Sequence, residues 1–274
     1  MRISAFTLIL PDLGLEEAAE RLRAAGYDGV EWRLAPPQTG PPGQRHRCSI
    51  PWDGMEDALP RVRALCSRLG LTVSVLGSYA AIGDESAVRR ALQAARALDC
   101  GQLRVQPPRL AEGRAYRETW AEAVRDLARL EPLARRAHVR LLVETHHGGI
   151  VASASLAHRL VGHSDPACVG VTYDPGNMVH EGYEAWRLGI ELLGPYLAHV
   201  HVKNAAWCRE PNGAWRPAWA ALGDGIVDWA AVVTGLRAAG YDGWLSLEDL
   251  APGSGPERIQ RGAAFLRALA GGTP

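Results

Sequence analysis

This chain of 274 residues has no GxGxxG turn, no CxxC pair, no net charge and no apolar run long enough to cross a bilayer. Without the glycine-rich turn, an open dinucleotide-binding sheet loses its usual signature. The five cysteines (48, 66, 100, 168 and 208) are odd in number and scattered, which argues against a disulfide framework or a thiolate zinc site and for a reducing compartment. Thirty basic residues balance 30 acidic ones, so no net field favours nucleic acid or an anionic membrane as a partner. The opening segment MRISAFTLILPD is interrupted at Thr7 and ended by Pro11 and Asp12. It is too short for a signal or a membrane span and reads as a first strand. The cytoplasm is the expected location.

What is present is an alternation. Strand-like runs fall near 3–9, 28–33, 71–77, 102–106, 139–144, 168–174, 197–203 and 243–248, and amphipathic runs between them include 14–25, 55–69, 84–99, 115–137, 184–193 and 227–239. Hydrophobic residues make up 47% of the chain, enough for a large core, and no linker divides it. Eight strands, each followed by a helical run, predict a single-domain α/β fold over 1–274, a closed (β/α)₈ TIM barrel. The segment Ala24-Ala25-Gly26-Tyr27-Asp28-Gly29 recurs as Ala238-Ala239-Gly240-Tyr241-Asp242-Gly243, a helix stop followed by a strand start. Residues 34–54, with five prolines and three glycines, and 204–224, with three tryptophans, are long connections on the side where a barrel builds its active site.

Four of the strand-like runs end in a polar residue: RLLVE at Glu144, VGVTYD at Asp174, AHVHV with His201, and WLSLE at Glu248. Alternation turns Leu141 and Val143, Val169 and Val171, Val200 and Val202, and Leu245 and Leu247 outward. The four polar side chains therefore share the inward face at the strand tips. Three carboxylates and one imidazole converging there make a divalent-metal site suited to Mn²⁺, Mg²⁺ or Co²⁺, with Zn²⁺ also within its range. A cation holding a carbonyl makes the neighbouring C–H acidic enough for a carboxylate to remove its proton, and a second carboxylate can return it elsewhere. Glu144 and Glu248 are the expected catalytic pair.

The segments VETHHGG (143–149), GVTYDPGN (170–177), HVHVKN (199–204) and LGDGIVDW…GYDGWLSLE (222–248) resemble the xylose isomerase-like TIM-barrel superfamily, which includes sugar phosphate isomerases and epimerases. The resemblance covers nearly the whole chain. It implies one divalent cation, manganese first, on Glu144, Asp174, His201 and Glu248, and an isomerase or epimerase of a small keto-sugar or polyol in carbohydrate metabolism. It also implies a substrate-binding histidine at His146, and it makes a homodimer or homotetramer the expected assembly.

Further inward positions extend the expected substrate set. His146 shares the phase of Glu144, with His147 the less favoured neighbour. Lys203 follows His201 by two, as a ligand for an oxyanion, hydroxyl or phosphate or as a solvated loop lysine. Glu31 and Arg33 on the second strand, and Arg104 and Gln106 on the fourth, point inward; polyol recognition or an internal Glu31–Arg104 salt bridge would account for them. His199 reads as a hydrogen-bonded core histidine. Trp207 is a candidate to stack on substrate, and Trp207, Trp215 and Trp219 together suit either that role or a subunit contact.

The match departs from the ketose 3-epimerases at three places: Asn177 stands where they carry a substrate-binding histidine, Trp207 where they carry an arginine, and Ile150 where they carry a glutamate. Dehydratases of keto-cyclitols or dehydroshikimate and the C-glycoside-cleaving subunits share the same metal cradle and remain alternatives. The apurinic-site endonucleases of the superfamily need further histidines that Ser78, Gln106 and Asn177 do not supply, and a non-catalytic sugar-binding protein is the remaining class.

Overall fold

A computed structural model of the protein describes residues 1–35 and 47–271. Eight parallel strands form the barrel: β1 (Arg2–Ala5), β2 (Gly29–Ala35), β4 (Thr72–Ala81), β5 (Gln102–Gln106), β6 (Arg140–Glu144), β7 (Val169–Tyr173), β8 (Leu197–Val202) and β11 (Trp244–Leu247). The short β3 (Ile50–Pro51) pairs with the end of β2, giving the sheet order β1-β11-β8-β7-β6-β5-β4-β2-β3. The seam between β1 and β2 is closed by a Phe6–Glu31 bridge, by the Asp28 amide donating to the Ile3 carbonyl at 3.0 Å, and by the Arg33 amide donating to Thr7 Oγ1 at 3.1 Å.

Helices α1 (Leu15–Ala24), α2 (Met55–Leu69), α3 (Glu85–Ala97), α4 (Tyr116–Ala137), α5 (Ala154–Val161), α6 (Pro175–Met178), α7 (Trp186–Leu193), α8 (Trp229–Ala238) and α9 (Gly255–Gly271) occupy the connections and the C-terminal end. The expected helix bounds agree to within about two residues, whereas α5, α6 and α9 fall outside the runs singled out from the sequence. The repeated AAGYDG segments do end helices, with Gly26 and Gly240 at φ +86° and +73°, conformations that cost a side-chain-bearing residue energy.

Strand phase follows from where the apolar residues go. Leu141, Val143, Val169, Val171, Val200, Val202, Leu245 and Leu247 lie in the continuous core between barrel and helices. Each such side chain contributes about 1.5–3 kcal/mol by burial, so a one-residue slip of any of these strands is strongly disfavoured. Inside the barrel, Val75, Leu142 and Ala198 form a small separate apolar cluster, and the polar residues gather above it.

The two long connections differ. Residues 36–46, most of the expected proline-rich loop, lie outside the described residues. The 204–224 segment is no irregular loop: it forms an antiparallel hairpin of β9 (Asn204–Arg209) and β10 (Trp215–Ala220). Its register pairs Ala205 with Trp219, Pro217 with Trp207 and Arg209 with Trp215, so the three tryptophans share one face at increasing distance from the barrel. Among the described residues, no helix is long and apolar enough to cross a membrane.

Candidate metal centre and substrate cavity

Glu144 ends β6, Asp174 follows β7, His201 lies near the end of β8 and Glu248 follows β11. One ligand atom from each lies within 4.8 Å of all the others, and all four side chains are buried. His201 Nδ1 faces Glu144 Oε1 at 3.1 Å, Glu248 Oε2 at 3.2 Å and Asp174 Oδ2 at 3.4 Å. Asp174 also caps α6, Oδ1 accepting from the Asn177 amide at 2.8 Å, which fixes its carboxylate and leaves Oδ2 turned to the cluster. A buried imidazole inside a ring of three carboxylates is the donor set of an oxygen-rich divalent-cation site, and these residues fit such an ion.

Behind the cluster sits Glu31. His201 Nε2 meets both Glu31 oxygens at 3.1 Å, His199 Nε2 meets Oε2 at 3.0 Å, and Ser246 Oγ donates to Oε2 at 2.8 Å. Burial alone would raise the Glu31 pKa, but His201 and His199 hold it far below the carboxylate range. The expected Glu31–Arg104 pairing is therefore replaced: Glu31 pairs with the histidines, and Arg104 Nη1 donates to Glu144 Oε2 at 2.7 Å. Glu31 belongs to the layer below the cavity, one strand step deeper than Arg33, and does not line the wall. His199 is the hydrogen-bonded core histidine expected from its phase.

Two cations meet the cradle directly. Arg104 lies over the rings of Phe6 and Tyr79, at 4.9 and 5.0 Å, while holding Glu144. Burial opposes charge on Glu144, yet Arg104 and His201 keep its pKa well below the ordinary value. Lys203, only 2% exposed, sets Nζ 2.9 Å from Asp174 Oδ2 and 2.5 Å from Glu248 Oε2. It is also the one lysine among the chain's 30 basic residues, so the reading as a solvated loop lysine is overturned. Its stem packs on Gly176, where a Cβ would come within 2.4 Å of Lys203 Cγ.

Above the cradle opens a cavity of about 160 Å³. Of the expected substrate residues, Arg104, Gln106, His146, Asn177 and Lys203 line it. His146 and not His147 faces it; His147 Nδ1 instead meets Asn177 Oδ1 at 3.1 Å, and its ring stacks on His180. Burial, with His146 and His180 nearby, pushes the His147 pKa down to about 4. Arg33 stands beside the cavity, donating to Ser49 Oγ at 2.9 Å and lying over Tyr79. Trp207 does not reach it: one register step out along the hairpin, its indole N–H donates to the Val179 carbonyl at 2.8 Å. Trp219, at the hairpin root, lines the cavity instead, and Trp215 near the tip is 61% exposed. Ser78, Tyr79 and Arg109 also line the wall. Ser78 and Tyr79 lie in β4 beyond its expected end at 77, and Arg109 lies in the loop after β5, where no periodic signal marks a cavity residue.

The surrounding carboxylates raise the His201 pKa well above its ordinary value, even though burial works against the charge. The imidazole is thus protonated in the metal-free protein, and a cation must displace that proton. With a folded pKa raised, competition is strongest at low pH and fades as pH rises through that pKa. Apparent Mn²⁺ affinity should therefore climb by up to about tenfold per pH unit across this window. Calorimetric titration in buffers of different ionisation enthalpy reads the released proton directly. A pH-independent affinity with no proton release would remove His201 from the ligand set.

The family model described as xylose isomerase-like TIM barrel matches residues 19–269. This chain belongs to that family. Among curated relatives of the xylose isomerase-like barrel, the inosose dehydratases of Geobacillus thermodenitrificans and Lacticaseibacillus casei are 28% and 23% identical to it over 144 residues. The chain spans about half the length of these relatives, 47% in each case. Solved structures share the fold across nearly full length. The 3-keto-D-glucoside 4-epimerase from E. coli has a TM-score of 0.73 at 18% identity, covering 98% of this chain and 99% of that one. A D-psicose 3-epimerase in the presence of D-fructose has a TM-score of 0.74 at 14% identity, with 99% and 100% covered. The IolI protein with a bound zinc atom has a TM-score of 0.76 at 16% identity, with 98% of each chain covered. Within that fold, the site brings together four buried side chains that could hold a divalent metal.

Proposed function

We propose that this protein is a divalent-metal-dependent isomerase or epimerase of a small keto-sugar or related polyol, working by proton abstraction beside a carbonyl. The observation that carries this reading is the placement of two glutamates, Glu144 and Glu248, three strands apart around one barrel mouth, both facing one cavity and sharing one cation-binding cluster. Glu144, Asp174, His201 and Glu248 would hold the ion, with Mn²⁺ the first candidate. When bound, it would supply Lewis-acid polarisation of a substrate oxygen.

The two glutamates differ in how they are held. Glu144 is gripped by Arg104 Nη1 and by Asn177 Nδ2 at 3.1 Å, whereas Glu248 meets His201 and the Lys203 ammonium among the described residues. Burial opposes ionisation of Glu248, but Lys203 and His201 lower its pKa to about 2, so the carboxylate is ionised. Glu248 removes the proton and Glu144 serves the opposite side of the substrate carbon. His146, Gln106 and Asn177 orient hydroxyls, while Val105, Ile150, Val151 and Leu250 keep the reacting carbon from water. A second reading, a dehydratase, is supported by the inosose dehydratase relatives.

Mn²⁺-loaded protein incubated in D₂O with a panel of ketoses and keto-cyclitols should place deuterium on the carbon beside the carbonyl, read by NMR. Product that has lost water selects the dehydratase. No exchange anywhere in the panel rejects proton abstraction as the chemistry.

A further inference from the structure

The cations on the cavity wall are not all alike. Arg104 and Lys203 are buried and each is ion-paired to a cradle carboxylate at 2.5–2.9 Å. Arg109 lines the same cavity, is exposed at its rim, and has no hydrogen-bond or carboxylate partner among the described residues. Its backbone is nevertheless constrained. Pro107 and Pro108 precede it, and the Ile150 amide donates to the Pro108 carbonyl at 3.4 Å, joining the loops after β5 and β6. Its guanidinium lies against Gly148, Nη1 being 3.5 Å from where a Cβ would stand. The carboxylate of Glu181 is engaged by the Gly148 amide.

Charge balance points the same way. Of the groups that line the cavity, Glu144 and Glu248 are met by Arg104 and Lys203, and Arg109 stands beside them as a third cation. A divalent cation in the cradle would add to the positive charge at a wall that also carries Leu8, Val105, Pro107, Ile150, Val151 and Leu250. Low-polarity walls strengthen that field.

Building on the keto-sugar reading, we propose that the substrate carries an anionic group, a carboxylate or a phosphate, at the end remote from the reacting carbonyl, and that Arg109 receives it. An arginine fork donates two parallel N–H bonds to either group, which fixes the distance between anion and reacting carbon and so selects substrates by length as well as charge.

The test is calorimetric binding to the Mn²⁺-loaded protein of three probes: D-fructose as the neutral ketose, D-fructose 6-phosphate, and 5-keto-D-gluconate as the keto-acid. At least one anionic probe should bind about ten- to a hundredfold more tightly than fructose. Arg109→Ala should abolish that preference and Arg109→Lys keep part of it, and the favoured probe identifies phosphate or carboxylate. Equal affinities for all three, or a preference that survives Arg109→Ala, overturn the proposal. Deuterium exchange measured on the same probes separates the two readings. Exchange into fructose with no anion preference keeps the chemistry and rejects the role of Arg109. An Arg109-dependent preference without exchange keeps the binding site and rejects the chemistry.

Discussion

Glu248→Gln should lower turnover and deuterium exchange by about a thousandfold or more while leaving Mn²⁺ binding measurable. The amide matches the carboxylate in size, so the cavity and the Lys203 stem keep their places, but it cannot accept the substrate proton. General-base contributions of this kind are about 10²–10⁴-fold, and loss of one anionic ligand adds to the deficit. Metal affinity should fall less than in Asp174→Ala. Asp174 supplies Oδ2 to the cluster and at the same time caps α6 through Asn177, whose Nδ2 reaches Glu144 Oε1 at 3.1 Å and Asp174 Oδ2 at 2.9 Å. Removing Asp174 therefore deletes a ligand and loosens the groups that position a second one. Calorimetry with Mn²⁺ gives the binding order of the two variants, and exchange into the best ketose gives the rate. Wild-type exchange in Glu248→Gln would take that residue out of the base role, whatever the metal does.

The candidate metal cluster was legible because it obeys strand periodicity. Glu144, Asp174, His201 and Glu248 each sit beside residues such as Val143 or Leu247 whose burial fixes the opposite face, so phase alone turned them to one interior. His199 followed by the same rule. What periodicity could not supply was partner choice inside the barrel. Strand phase turns both Glu31 and Arg104 inward, yet which strand each reaches across depends on barrel curvature, and Glu31 meets histidines from β8 while Arg104 meets Glu144 on the adjacent β6. The hairpin's six-residue strands carry proline, arginine and asparagine in place of an alternating apolar pattern, so its sequence reads as a loop. That pairing, unseen in the sequence, moved the cavity contact from Trp207 to Trp219. Lys203 shows the opposite case: the chain's one lysine is plain in the sequence, but its buried position between two carboxylates is not. An arginine's planar fork could not replace it above Gly176 without losing the close fit of stem to backbone.

Glu31→Gln should weaken Mn²⁺ binding by about ten- to a hundredfold although the residue never touches the cavity. A metal-ligating imidazole is oriented by what its other nitrogen donates to, and here His201 Nε2 points at a fully buried carboxylate. In the ligating state His201 needs its Nδ1 lone pair toward the cradle, which requires the proton on Nε2 and an acceptor to take it. Glu31 provides that acceptor and also takes the bonds of His199 and Ser246. Glutamine keeps one oxygen but sets an amide N–H₂ against a second donor, so at least one of the three bonds is lost, and a buried unpaired donor costs about 1–3 kcal/mol. The expected result is thus a lowered melting temperature together with a lowered metal affinity, while Glu248→Gln should leave the metal-free melting temperature far less changed. The pairing of the two losses is what identifies an orienting role. If Glu31→Gln melts earlier but binds Mn²⁺ as tightly as the wild type once folded, Glu31 is a core ion pair and His201 is positioned by its strand alone.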